Sequence, residues 1–238
     1  MTESSDRDAE RPRDLKSIST HWTTVSNPSR FVMRYGAAVR AYLRALLPTH
    51  DDADEVEQEF LLQVVAKGFP TVAPGRGHFR HYLITIVKNA AYGYLRKRAR
   101  QPALPGDLSQ VRTESSADRE WQRSWRQCVL QNTWNALRNH QKRNKGNLFH
   151  SVLKAFVEHP EEDSTARAAR VSRSTGQTLS AESCRKQLSR ARHRFAELLV
   201  DEVSRTITDV TPDLLAEELR ELDLLKYVRT VLPRGEDS

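Results

Sequence analysis

The sequence predicts an all-α protein of two small helical domains, a three- or four-helix bundle and a helix-turn-helix, joined by a flexible linker. Apolar residues recur three and four positions apart through most of the 238-residue chain, which is helical spacing. Residues of high strand propensity do not alternate with polar residues over any long run. Glycine and proline are sparse and cluster at a few positions, where we place the breaks between helices.

Three helices are predicted in the first domain. The first covers residues 31–47 and ends at Pro48, because proline cannot continue a helix. The second begins near Asp51, where an acidic first turn suits the positive end of the helix dipole, and ends at Gly68. After a loop rich in proline and glycine, the third covers residues 79–98. Their apolar faces predict packing as one small bundle.

The second domain follows a linker, residues 101–117, that is rich in proline, serine and threonine. Its first helix carries Trp121, Trp125 and Cys128 at i, i+4 and i+7, a spacing that favours core anchors over a cofactor site. The other cysteine of the chain is Cys184, and the two form no CxxC pair. The sequence therefore indicates neither a disulfide framework nor a zinc site.

A helix-turn-helix is predicted from residues 164–174 and 180–195, with Ser180 as the N-cap of the second helix. The turn is longer than the usual 3–4 or so residues. One face of the second helix is apolar and the opposite face is basic, so the helix can enter a major groove. The side chains expected to reach DNA from it are Ser183, Arg185, Lys186, Arg190, Arg192 and His193. An ordinary surface helix with solvated arginines stays open as the alternative.

The ends of the chain give weaker signals. The N-terminus is polar and lacks a signal-peptide apolar stretch, and no apolar run approaches the roughly 20 residues that span a bilayer, so we expect a cytoplasmic protein without membrane contact. Leucines at helical spacing in residues 212–231 indicate packing, with an inhibitory or sensory appendage as the alternative. The predicted segments are a disordered tail (1–18), the first domain (19–100), the linker (101–117), the second domain (118–205) and a C-terminal helical extension (206–238).

Charge divides sharply inside the first domain. Six carboxylates lie between Asp51 and Glu59, and no acidic residue follows until after Gly106, although that stretch holds eight lysines and arginines. The net charge of the chain is +7, which fits nucleic acid better than a small acidic metabolite. An acidic block followed by a basic block predicts two partners of opposite sign.

Three stretches together resemble a known family. DDADEVEQEFLLQVVAKGF, followed by RGHFRHYLITIVKNAAYGYLRKRAR, looks like region 2 of bacterial RNA polymerase sigma factors of the extracytoplasmic-function subgroup of the sigma-70 family. SAESCRKQLSRARHRFAELL resembles the recognition helix of region 4, through the run Arg190-Ala191-Arg192. The resemblance covers roughly residues 20–205.

The resemblance implies a polymerase-docking helix in the acidic block. In the family this helix binds the clamp helices of the largest catalytic subunit, and carboxylates with one glutamine and one aromatic edge suit a basic partner surface. The residues at the matching positions are Asp54, Glu55, Gln58, Glu59 and Phe60. A solvated acidic helix start is the plain alternative. A divalent-metal site is disfavoured, because these carboxylates come from one helix and do not converge from several elements.

The resemblance also implies that the start and the basic end of the third helix read and melt the −10 element, and that region 4 reads the −35 element in duplex form. Bases would stack on aromatic rings and phosphates would meet cations. The residues concerned are His78, Phe79, Arg80, Tyr82, Lys88, Asn89, Arg96, Lys97 and Arg98. Core packing is the alternative for Phe79 and Tyr82. Two positions depart from the family pattern, Tyr82 in place of tryptophan and Gly93 in place of aspartate.

The sequence therefore predicts a sigma factor whose partners are core RNA polymerase and promoter DNA, and which is not an enzyme and needs no cofactor or metal. The resemblance leaves open an anti-sigma factor or other regulatory protein as a further partner. The alternative is a stand-alone helix-turn-helix regulator that does not bind polymerase. A nuclease is disfavoured, since the histidines are scattered and His78 and His81, three apart, have no predicted ligand partners.

Overall fold

The computed structural model describes residues 27–69, 78–100, 114–144, 146–229 and 231–232. The regular elements in these ranges are helices, which confirms the all-α prediction. They are α1 (Pro28–Leu46), α2 (His50–Lys67), α3 (Phe79–Ala99), α4 (Glu114–Arg143), α5 (Phe149–Glu158), α6 (Ser164–Thr175), α7 (Ala181–Ser204), α8 (Pro212–Glu221) and a 3-10 turn (Leu225–Tyr227). The predicted tail, the loop before α3 and residues 101–113 of the predicted linker lie outside the described residues. None of the described helices is long and apolar enough to cross a membrane.

The chain forms two compact units. Among the described residues, the N-terminal unit takes those between 27 and 131 and those from 203 to 223, and the C-terminal unit takes those between 132 and 202 and those between 224 and 232. The predicted segments divide the chain differently, because α4 is one continuous helix of which the first half belongs to the N-terminal unit. Most of the predicted C-terminal extension also belongs to the N-terminal unit.

Aromatic rings hold the core of the N-terminal unit. Trp121 and Trp125 are buried, which confirms their predicted role as core anchors. Trp125 stacks on Tyr35 of α1 with ring centroids 4.2 Å apart, and Trp121 meets Tyr42 edge-on at 5.7 Å. Aromatic pairs of these geometries stabilise beyond the area that they bury. The first half of α4 is thereby fixed against α1.

Local capping sets where α1, α2 and α8 begin. Asn27 accepts a hydrogen bond from the backbone N–H of Arg30, Thr49 from that of Asp52, and Thr211 from that of Leu214. Each supplies the side-chain oxygen that the first turn of a helix lacks.

The C-terminal unit encloses a separate apolar core. Its buried residues come from the second half of α4 and from α5, α6 and α7, and Cys184 is among them as a free thiol. Gly176 ends α6 with φ 72°, a left-handed conformation that costs glycine little. Ser180 then accepts a hydrogen bond from the backbone N–H of Ser183 at 3.1 Å, which confirms it as the N-cap of α7. The predicted helix–turn–helix sequence of elements is therefore present, with residues 176–180 as the turn.

Candidate functional site

The acidic block of α2 separates into buried and exposed carboxylates. Glu57 is buried and accepts a hydrogen bond from Arg40 Nε of α1 at 2.8 Å. Asp52 is buried too and accepts from Thr49 Oγ1 and from Tyr94 OH of α3, each at 2.7 Å. These two carboxylates join α2 to its neighbours, so only part of the block is available to a partner.

Asp52 also pairs with Arg98 in the last turn of α3. Burial by itself raises the pKa of Asp52, but hydrogen bonds from Thr49, Tyr94 and Arg98 outweigh it and hold the pKa below its ordinary value. The pKa of the Tyr94 hydroxyl is raised by its burial and by the carboxylates of Asp52 and Glu55 beside it. The basic end of α3 is thus tied to the acidic start of α2.

Four of the five residues predicted to bind polymerase are exposed on α2. These are Asp54, Glu55, Gln58 and Glu59. Their present contacts are weak: Asp54 pairs with Arg44 at 3.1 Å, although both side chains are exposed, and Glu59 accepts from Gln63 at 3.2 Å. Phe60 differs, because only 6% of it is exposed and it packs into the unit. The four exposed residues, Asp54, Glu55, Gln58 and Glu59, are here named the carboxylate ridge. The ridge lies beside an open groove lined by Arg40, Arg44, Asp54, Glu57, Gln58 and Leu61.

The start of α3 lies under the C-terminal part of the N-terminal unit. Phe79 is 1% exposed, and its ring meets Phe31 and Phe69 edge-on at 6.1 and 5.3 Å. Arg80 is 5% exposed and donates to both oxygens of Glu218 on α8, from Nε at 2.9 Å and from Nη2 at 3.1 Å. In this conformation neither residue offers a face to DNA.

A small ion cluster surrounds this arginine. Arg80 also pairs with Glu221, and His81 Nε2 lies 3.2 Å from the same carboxylate. His78 Nδ1 is 3.0 Å from Glu218 Oε2, an ion-pair distance, but off the direction of a hydrogen bond. The expectation that His78 and His81 have no ligand partners is wrong, because the fold brings two glutamates to them from residues far along the chain.

The acidic and basic side chains of the cluster stabilise one another's charged forms. Burial alone raises the pKa of Glu218, but His78 and Arg80 overcome it and bring the pKa to about 2. Glu218 in turn raises the pKa of His78. Ligand atoms of His81, Glu218 and Glu221 lie within 4.8 Å of one another, as in a cation site. The guanidinium of Arg80 already occupies the place of the cation, so the geometry is that of an ion-pair cluster and does not favour a metal.

The rest of α3 changes from half-buried to exposed along its length. Tyr82 is half-buried, 5.9 Å from the ring of Phe79, and burial raises the pKa of its hydroxyl. Lys88 is half-buried with its ammonium 6.0 Å from the ring of Tyr92. The exposed residues of the predicted DNA-contacting set on this helix are Asn89, Arg96, Lys97 and Arg98. The basic end of α3 is therefore exposed at all three of its predicted DNA-contacting cations.

All six residues predicted to contact DNA from α7 are exposed: Ser183, Arg185, Lys186, Arg190, Arg192 and His193. The opposite face is buried through Cys184, Leu188 and Ala191, which confirms the predicted amphipathic pattern. Several of the cations make surface contacts within the unit. Arg185 donates to Ser164 Oγ at 2.9 Å, and Arg192 lies over the ring of Phe156 at 4.3 Å.

Two more cations of this helix pair with carboxylates one turn away. Lys186 pairs with Glu182 at 2.8 Å, and His193 Nε2 lies 3.6 Å from Glu197. Such i,i+4 pairs are worth only about 0.3–0.5 kcal/mol, so phosphate can displace them. The cations on this face of α7 are thus exposed, and phosphate can replace their present carboxylate partners.

Sequence reasoning missed Glu218 and Glu221. Their local signal was an amphipathic stretch with a Thr-Pro helix start, which predicts α8 but names no partner for its acidic face. The partner, Arg80, is 138 residues away from Glu218 in the chain.

The comparison with protein families supports the assignment of the first helices. Residues 31–101, from α1 through the end of α3, match the family model described as Sigma-70 region 2. No curated protein and no solved structure gave a significant match to the chain. The matched segment contains the carboxylate ridge of α2 and the basic end of α3. Residues 31–101 are therefore similar to sigma-70 region 2, and this similarity supports a sigma-70 family sigma factor.

Proposed function

We propose that this chain is a sigma factor of the extracytoplasmic-function subgroup, which directs core RNA polymerase to promoters. The observation that carries the proposal is the family match over α1–α3, together with an exposed carboxylate ridge on α2 inside the matched segment. No covalent chemistry is required of the protein, because a sigma factor confers specificity on an enzyme that it binds.

The carboxylate ridge is the docking surface for polymerase in this proposal. Glu55 and Glu59 lie one helical turn apart on α2, and both are exposed. A ridge of negative charge complements a basic helical surface, increases the rate of encounter and disfavours acidic partners. The hydrogen bond from the exposed Arg40 of α1 to the buried Glu57 holds α2 in place beneath the ridge, so the surface is preorganised.

The basic end of α3 supplies the contact with the −10 element. Arg96 and Lys97 are exposed in the last turn of the helix. Their neutralisation of phosphates would make binding salt-dependent. Arg98 is held by Asp52, so it adds a phosphate contact only when that pair rearranges.

The exposed face of α7 supplies the contact with the −35 element. A helix buried along one face and polar along the other can lie in a major groove about 12 Å wide. Ser183 and Lys186 near its start would meet base edges, and the later Arg190 and Arg192 would meet phosphate.

The test reverses charge on the docking ridge. The double variant Glu55→Lys/Glu59→Lys should lose at least about tenfold in co-purification with core RNA polymerase, because like charges would then face each other. Its matched control is Glu158→Lys/Glu161→Lys, two exposed carboxylates of the C-terminal unit, which should co-purify as the wild type does. Equal loss in both variants, or none in the first, would contradict the docking surface.

The second function, a stand-alone helix-turn-helix regulator, rests on the exposed α7 face alone. It predicts duplex binding by α7 with no polymerase association in the wild-type chain. In vitro transcription with core polymerase on a library of genomic fragments decides between the two, because only a sigma factor yields transcripts and their start sites.

A further inference from the structure

The segment formed by residues 203–223, here named the C-terminal strap, lies against the start of α3 within the N-terminal unit. Two kinds of contact join them. The backbone N–H of Phe79 donates to the carbonyl of Thr206 at 2.8 Å, and His78 pairs with Ile207 in an isolated antiparallel bridge. Further along the strap, Glu218 and Glu221 of α8 enclose Arg80.

We propose that the C-terminal strap is an autoinhibitory element that occupies the promoter-reading start of α3, with Glu218 and Glu221 standing where DNA phosphate would bind Arg80. The inference rests on the proposed function of α3 in reading the −10 element. The strap must leave before Arg80 can contact a nucleic acid, because its glutamates enclose the guanidinium, and the backbone of Phe79 is bonded to the strap as well.

The chemistry of the contact matches that of the ligand it would exclude. Glu218 presents both oxygens to Nε and Nη2 of Arg80, the same two-pronged geometry that a guanidinium makes with phosphate. A carboxylate and a phosphate therefore compete for one set of donors. The histidines on either side of Arg80 face the same two carboxylates, so the whole cationic start of α3 is neutralised by the strap.

Apolar and polar contacts hold the strap in place. Leu215 and Leu219 are buried along one face of α8, and Leu222 is buried at its C-cap. At the end of the strap, Gln122 of α4 donates to the carbonyl of Glu221, and Arg126 pairs with Asp223 at 3.3 Å. These anchors hold α8 closed over α3.

The backbone at both ends of α8 adopts a left-handed conformation that aspartate takes less readily than glycine. Asp209 before the helix and Asp223 after it have φ of 51° and 53°, and among the described residues they are the two non-glycine positions with positive φ. Aspartate visits this region at some conformational cost, which release of the helix would relieve. The strap therefore contains a short helix with a mildly strained aspartate on each side.

The first experiment removes the competing charge. The Glu218→Gln/Glu221→Gln variant is compared with Asp213→Asn/Glu217→Gln, which removes two exposed carboxylates from the same helix. The probe is a fluorescein-labelled pool of single-stranded DNA of randomised sequence, and circular dichroism checks that each full-length protein is folded. The first variant should bind at least about fivefold more tightly than its control, with a steeper salt dependence because Arg80 adds a phosphate contact. Equal affinities would overturn the proposal.

The second experiment locks the strap and does not depend on the stability of the charge variants. Residues paired in an antiparallel bridge have Cα atoms about 4.5–5.5 Å apart, within the range of a disulfide. The His78→Cys/Ile207→Cys variant should cross-link on oxidation, whereas Cys128 and Cys184 are buried. The oxidised protein should bind the DNA pool several-fold more weakly than the same protein after reduction. Equal binding in both states, or failure of the bond to form, would overturn the proposal.

Association with core RNA polymerase is measured separately on the wild type and on both variants. If the wild type does not bind polymerase, the proposed function fails, while the DNA-binding comparison still reports whether the strap excludes nucleic acid. If polymerase binds but locking the strap changes nothing, only the autoinhibition fails.

Discussion

The start of α3 and the outer face of α7 are both predicted to contact DNA through arginines, and the fold treats them in opposite ways. Arg80 on α3 is buried in an ion cluster with Glu218, whereas Arg190 on α7 is exposed. The two arginines carry the same charge and both lie on helices of basic character. The comparison teaches that residue type identifies a capacity to bind phosphate, while burial and a counter-charge decide whether that capacity is available.

The largest difference should appear in stability. Arg80→Ala should cost about 3–5 kcal/mol in the free energy of unfolding, because it leaves the buried Glu218 carboxylate without its partner. Arg190→Ala, on the exposed face, should change it by less than about 0.5 kcal/mol. Urea denaturation of both variants measures the contrast, and similar small losses would mean that the cluster around Arg80 is open in solution.

A pH dependence should follow from the same cluster. The pKa of Glu218 is lowered from 4.5 to about 2, so its pairing stabilises the fold above about pH 4.5 and that contribution is lost as pH falls towards 2. The loss is on the order of 3 kcal/mol. The pKa of His78 is raised from 6.5, so its contribution is present below that value and lost as pH rises through the folded-state pKa.

Urea denaturation between pH 3 and pH 8 measures both limbs. Glu218→Gln should flatten both the acid limb and the alkaline limb of the stability profile. It removes the Glu218 carboxyl, which titrates on the acid side, and it removes the partner that raises the pKa of His78. Glu182→Gln on α7 is the control, since its pair with Lys186 is exposed and worth little. A wild-type profile that is flat on its acid side would contradict the lowered pKa of Glu218.

The basic end of α3 is an intermediate case, and it predicts a smaller effect. Asp52→Asn should cost about 1–3 kcal/mol, because the buried amide cannot satisfy Thr49, Tyr94 and Arg98 as a carboxylate does. Asp51→Asn, an exposed neighbour in the same turn, should cost well under half as much. Thermal unfolding compares the stability of the two variants. Equal losses would mean that the hydrogen bonds of Asp52 stabilise the fold no more than an exposed carboxylate does.

The smallest expected effect concerns binding by α7. Arg190→Ala should weaken duplex DNA binding by about 1 kcal/mol and lower the slope of log affinity against log salt by about one, as loss of a single phosphate contact does. Fluorescence anisotropy at several salt concentrations measures both quantities. Glu161→Gln in the same unit is the control, and an unchanged slope in Arg190→Ala would remove this residue from the interface.

The start of α7 and the aromatic core are features that the local sequence pattern was sufficient to predict. Ser180 was identifiable as a cap because a serine oxygen at that position satisfies the first turn whatever lies elsewhere in the chain. Trp121 and Trp125 were identifiable as core residues because their spacing puts both on one face of a helix. Both are properties of a few consecutive residues, so no knowledge of distant segments was needed.

The sequence by itself determined the helices, their apolar faces and the separation of acidic from basic residues around Phe60, because each depends on neighbours within a turn or two. Only the tertiary structure decided which charged side chains are neutralised by partners within the fold. Asp52 meets Arg98, Glu57 meets Arg40, and Glu218 meets Arg80 across 138 positions of chain. Periodicity fixes the direction in which a side chain leaves its helix, but a charge is neutralised by whatever packing brings to it.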